Sequence, residues 1–84
     1  MYEERVDEPL RKVYVLFGEG RIRPIALLRG ERKYRISRVN ASWVDRSLRP
    51  ARHGFSVTVD SGEIFQLLYT EGDPVWRLES VLLE

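Results

Sequence analysis

The sequence predicts an all-β protein: a small six-stranded antiparallel meander curled into a partly open barrel of SH3-like size. Three observations predict it. Short runs rich in Val, Ile, Tyr, Phe and Trp alternate with glycine-marked gaps, the pattern of strands joined by tight turns. Pairing those runs across their turns puts apolar residues opposite apolar residues, as a sheet with one buried face requires. A ribbon with one apolar face cannot stay flat in water, so it must curl over that face.

The strands are expected at 10–17, 22–29, 32–43, 54–60, 63–70 and 75–83, within one domain spanning 1–84. Residues 1–9 carry Glu3, Glu4, Asp7 and Glu8 and read as an acidic, solvated arm. The first strand contains "VYVLF", apolar on both faces. Such a strand needs cover on both sides or a partner strand from another chain. Gly18-Glu19-Gly20 then turns the chain, without the following helix or lysine that a phosphate loop needs.

Gly30-Glu31 suits a two-residue turn with glycine first. Leu27 then opposes Tyr34 and Ile25 opposes Ile36, while Lys33 and Arg35 share the other face with Ala26 and Leu28. Along the third strand the apolar phase changes: Tyr34 and Ile36 are even, Val39, Ala41 and Trp43 odd. One extra residue near Ser37-Arg38, a β-bulge, restores a single inner face. Residues 44–53 are the one irregular connection. Ser42-x-x-Asp45 could cap a single helical turn, against which Arg49-Pro50 weighs.

Asp60-Ser61-Gly62 fits a three-residue loop with Gly62 in the left-handed region, pairing Val57 with Phe65 and Phe55 with Leu67. A loop over residues 71–74 puts Tyr69 opposite Trp76 and Leu67 opposite Leu78. The expected inner face is therefore Ile25, Leu27, Tyr34, Ile36, Phe55, Val57, Phe65, Leu67, Tyr69, Trp76 and Leu78.

Composition narrows function. The chain has 84 residues, no cysteine and one histidine, so disulfides and thiolate chemistry are absent and a histidine-based metal site would need carboxylate help. No catalytic residue, metal or cofactor is assigned: His53 has no nucleophile or acid at a fixed spacing. No apolar run reaches the length of a membrane span, and the acidic start is unlike a signal peptide, so the cytoplasm is the expected compartment. The net charge of +1 conceals segregation. Residues 21–52 carry +8, residues 1–20 carry −2 and residues 53–84 carry −5.

The basic segment is the sharpest lead. Phosphate neutralisation needs Arg or Lys on an accessible face, and base stacking needs an aromatic ring beside them. The candidates are Lys33, Arg35, Arg38, Arg46, Arg49 and Arg52, with Trp43 as the stacking plane. Against this stands the plain reading that the cations are solvated and Trp43 is core. The competing role is protein interaction or self-association through "VYVLF" or a sheet edge, giving a homodimer. A small-ligand barrel is a third reading.

The order "YEERVDEPL", "LLRGERKYRISRV", a tryptophan-bearing loop, "FSVTVDSGEIFQLLY" and "WRLESVLL" resembles a family of small bacterial domains of unknown function. The markers are Arg29-Gly30, Tyr34, Arg35, Val39, Trp43, Phe55, Val57, Gly62, Phe65, Leu67, Tyr69, Trp76, Leu78 and Val81. Members of that family are short free-standing proteins. A related region lies near the C-terminus of the Y-family-polymerase-like protein of the bacterial mutasome, a translesion DNA-synthesis assembly. The resemblance implies a β-fold and, by analogy alone, a partner in DNA repair or lesion bypass.

Overall fold

The computed structural model describes residues 2–83. Seven antiparallel strands form one sheet: β1 (Tyr2–Pro9), β2 (Lys12–Gly18), β3 (Arg21–Arg29), β4 (Arg32–Asp45), β5 (Arg52–Val59), β6 (Ile64–Thr70) and β7 (Arg77–Leu83). Their order in the sheet is β1-β7-β6-β5-β4-β3-β2. Strands β2 to β7 are the expected meander. The seventh strand is the stretch expected to be an arm: β1 lies antiparallel along β7, Tyr2 opposite Leu83 and Pro9 opposite Arg77. Its charges suit this place, because charged side chains and proline discourage further pairing on a sheet edge. The sheet does not close into a barrel. Strands β1 and β2 are consecutive in sequence yet lie at its two ends, and no ladder joins them.

The bend is made by β4. Its first four residues pair with β3, and Ile36 onward pairs with β5. The phase change near Ser37-Arg38 is present as a register shift between Ile36 and Arg38. A second shift follows between Val39 and Ala41. Thr58 holds both irregularities: the Ser37 hydroxyl donates to its carbonyl at 3.0 Å, and Asn40 Nδ2 donates to its Oγ1 at 2.9 Å. Strand β4 runs straight through to Asp45, so no helical turn forms at Ser42.

Turn chemistry follows the sequence. Glu19 and Gly20 both have positive φ (51° and 73°), as a two-residue hairpin turn of matching twist demands. Gly62 sits at φ 90° in the Asp60-Ser61-Gly62 loop, whose Gly62 N–H donates to the Val59 carbonyl.

The two halves of the bent sheet enclose the core. Leu27 and Tyr34 come from one side, and Phe55, Val57, Val59, Phe65, Leu67, Leu78 and Val81 from the other, with Leu10 and Trp76 closing one end. Tyr34 meets Phe65 edge-to-face at 5.0 Å, a favoured aromatic arrangement. Leu27 opposes Tyr34, Val57 opposes Phe65, and Leu67 opposes both Phe55 and Leu78, as expected. Ile36 and Tyr69 pack against this core half-buried. Tyr69 and Trp76 stack at 5.1 Å, although β7 begins only at Arg77.

Ile25 breaks the expected pattern. It is 39% exposed, and Ile36 opposes Val59 instead. The ladder between β2 and β3 passes from Tyr14↔Ala26 to Val15↔Pro24, so Ile25 is the extra residue of a bulge. Pro24 explains it: a residue without an N–H is tolerated within a sheet at an edge or a bulge.

Candidate nucleic-acid interface

Charge follows strand order. From Leu10 to Val44 the only carboxylates are Glu19 and Glu31, and both occupy hairpin turns. Strands β2, β3 and β4 therefore present a nearly acid-free end of the sheet. Strand β1, at the opposite end, holds four carboxylates. Two of these are paired: Glu8 Oε1 accepts from Arg29 Nε at 2.6 Å, and Asp7 Oδ1 accepts from Arg77 Nε at 3.3 Å. Among the described residues, Lys33, Arg35, Arg38, Arg46, Arg49 and Arg52 make no ion pair within 4.0 Å.

The structure does not gather these six cations and Trp43 into one patch. Lys33 stands near the start of β4 and Arg46 just beyond its end. Lys33 and Arg35 pair with β3, whereas Arg38 onward pairs with β5, on the other side of the bend. Three groups result.

The first lies on the outer face of β2, β3 and β4. Lys33 opposes Leu28, which opposes Lys12; Arg35 opposes Ala26, which opposes Tyr14. The ammonium groups of Lys12 and Lys33 stand over the Tyr14 ring, 5.0 and 4.7 Å from its centroid. Within "VYVLF" these lysines cover Tyr14, while Leu16 and Phe17 stay exposed. Arg38 continues this face along β4, exposed and opposite Thr58.

The second group surrounds Trp43, which is 43% exposed and outside the core. It opposes Gly54, and its indole fills the space where a side chain at position 54 would stand: a Cβ there would lie 2.1 Å from the ring. Arg46 and Arg49 follow on the loop over residues 46–51. Asp45 shapes that loop, accepting from the Ser47 hydroxyl at 2.6 Å and the Ser47 N–H at 3.0 Å. These two bonds hold the Asp45 carboxyl below its ordinary value, and Arg52 adds to the effect. A depressed carboxylate contributes its anchoring above its unfolded pKa and loses it as pH falls through the folded one. Protection of the Ser47 amide relative to its intrinsic exchange rate is therefore expected to fall selectively on acidification. Asp45→Asn should show fast exchange at neutral pH as well.

Arg52 forms the third group. It opposes Asp45 and Thr70 and borders a groove shared with Arg5, Asp7, Asp73, Arg77 and Glu79. Its surroundings are mixed in charge, so it is the weakest of the candidates.

A cleft of about 650 Å³ opens where β4 diverges from β3. Ile22, Phe55 and Tyr69 line it, with Trp43, Arg21 and Arg46 beside them. His53 borders it too, its Nε2 2.8 Å from Glu71 Oε2 and its ring tilted against Tyr69 at 5.7 Å. No partner for His53 was legible from spacing, because Glu71 becomes its neighbour only through the β5–β6 ladder. No group of three or more His, Asp or Glu side chains among the described residues could hold a metal ion.

Sequence reasoning missed Lys12, Tyr14, Arg21 and Gly54. The first two lie in the doubly apolar strand, where alternation carried no information about which face was wet. Gly54 did carry a signal: glycine inside a strand marks a close approach by another group. No family model matches the chain, and neither a curated protein nor a solved structure does.

Proposed function

We propose that the protein is a non-enzymatic binding module that takes single-stranded nucleic acid on the β2–β4 side of its sheet. The observation that carries this reading is the run from Lys12 to Val44, three adjacent strands without a carboxylate outside their turns, in which, among the described residues, Arg29 alone makes an ion pair, with Glu8. Lys12, Lys33, Arg35 and Arg38 supply phosphate contacts on one surface, and Arg46 and Arg49 on another beside Trp43. An exposed indole next to flexible guanidinium groups is the combination that sequence-tolerant single-strand binding uses. A role as a cytoplasmic accessory to DNA repair or lesion bypass agrees with the family resemblance.

The test is titration of labelled single- and double-stranded oligonucleotides at two salt concentrations. Binding should weaken steeply with salt. Lys33→Ala with Arg35→Ala, and separately Arg46→Ala with Arg49→Ala, should each flatten the salt slope by about 0.7 per lost phosphate contact. An absence of binding at low salt rejects the reading.

One observation favours a second role, self-association. Among the described residues the far edge of β2 has no partner strand, and Leu16 and Phe17 beside it are 56% and 74% exposed. An unprotected apolar edge is a template for a second chain. Light scattering that finds a strict monomer at high concentration removes that role.

A further inference from the structure

The cleft beside Trp43 has a more specific chemistry than its cationic surroundings. We propose that it receives one unstacked nucleotide of the bound strand, the base against the aromatic wall and the phosphate between Arg21 and Arg46. This deepens the nucleic-acid reading and rests on it.

Three features converge on that ligand. The wall is apolar and aromatic, built by Ile22, Phe55 and Tyr69. Such a wall suits the flat face of a base, and a base offers that face only outside a duplex stack. The volume, about 650 Å³, lies within the range of small-ligand sites.

The polar lining includes Arg21 and Arg46 together with the His53–Glu71 pair, whose carboxylate is engaged by the imidazole. Arg21 opens β3 and Arg46 follows β4 on the loop, and neither has a carboxylate within 4.0 Å among the described residues. Two free guanidinium groups facing one cleft suit a phosphate, which accepts from both. His53 supplies the contact for the base edge. Glu71 engages Nε2 at 2.8 Å, which leaves Nδ1 as the ring nitrogen open to a base edge. A base edge carries N–H donors that such a nitrogen can take.

The test compares an oligothymidylate with an abasic sugar-phosphate oligomer of equal length and charge, followed by amide and aromatic NMR shifts. The base-bearing strand should bind about tenfold tighter, since stacking adds to affinity base by base. Shifts at His53, Tyr69 and Trp43 should appear with it alone. His53→Phe keeps the ring against Tyr69 but removes both nitrogens, and should lower the preference to about threefold or less. Arg46→Ala should weaken both ligands, and thermal melts of both variants confirm that they are folded. Equal binding of the two oligomers, with shifts confined to Lys12, Lys33 and Arg35, overturns the cleft assignment and leaves the broader reading standing. Binding of neither overturns both. Polyglutamate that shifts the cleft signals as strongly as oligothymidylate also overturns it, marking a site for acidic peptides.

Discussion

Phe65→Ala is expected to destabilise the protein by about 3–5 kcal/mol, the largest effect of any single truncation in the core. Phe65 has no solvent exposure, opposes Val57 on one side and Val81 on the other, and meets Tyr34 from the other half of the bent sheet. Its removal leaves a void where the two halves touch. A domain this small has a total stability toward the low end of roughly 5–15 kcal/mol, so the variant should be substantially unfolded or melt well over 10 °C lower. Phe17→Ala removes the same atoms at a position 74% exposed, and should change stability by no more than about 0.5 kcal/mol. Chemical denaturation of the two variants checks the contrast. Equal losses would mean that the assignment of inner and outer faces is wrong.

The second large effect concerns Gly54. Valine there puts a Cβ within 2.1 Å of the Trp43 ring, closer than any real contact, so the indole must leave. Gly54→Val should destabilise by about 1–3 kcal/mol, in the range of overpacking, and shift Trp43 emission to the red as the ring enters water. In a Trp43→Ala background the obstruction is gone. The same substitution should then be neutral or stabilising by up to about 1 kcal/mol, because valine suits a strand better than glycine. Denaturation of the four proteins in a double-mutant cycle measures the coupling directly. Without a sign change or a large coupling term, the indole does not rest on Gly54 in solution. The same pair bears on function: oligonucleotide affinity should fall with Gly54→Val if Trp43 stacks from this position.

Much of the fold was legible because hairpins are local. Gly30 and Gly62 mark turns whose geometry fixes register, and Leu27 with Tyr34 or Val57 with Phe65 then declare the buried face. What was not legible came from residues whose effect depends on distant neighbours. The acidic N-terminal stretch reads as a solvated arm by composition, yet the edge of β7 gives it a ladder and its charges become an advantage there. Pro24 forces a bulge that turns Ile25 outward, and alternation alone does not count the extra residue.

Trp43 shows the limit most clearly. One inserted residue near Ser37 would carry Val39, Ala41 and Trp43 all inward. The second insertion, after Val39, reverses the phase again. Val39 stays opposite inward Val57, while Ala41 and Trp43 turn outward opposite Ser56 and Gly54. The candidate site depends on the same two insertions. The basic composition of residues 21–52 was plain, but its division into separate surfaces depends on where a fourteen-residue strand bends.

The pairing of Tyr2 with Leu83 has a consequence for how the fold can be used. Opposed residues in an antiparallel ladder stand about 5 Å apart at their Cα atoms, so the polypeptide enters and leaves at one spot. A host protein could carry this unit spliced into a surface loop with almost no gap to bridge. By the same geometry, a short tether could join the two ends and a fresh break be opened at the Glu19-Gly20 turn, with every rung of the ladder kept.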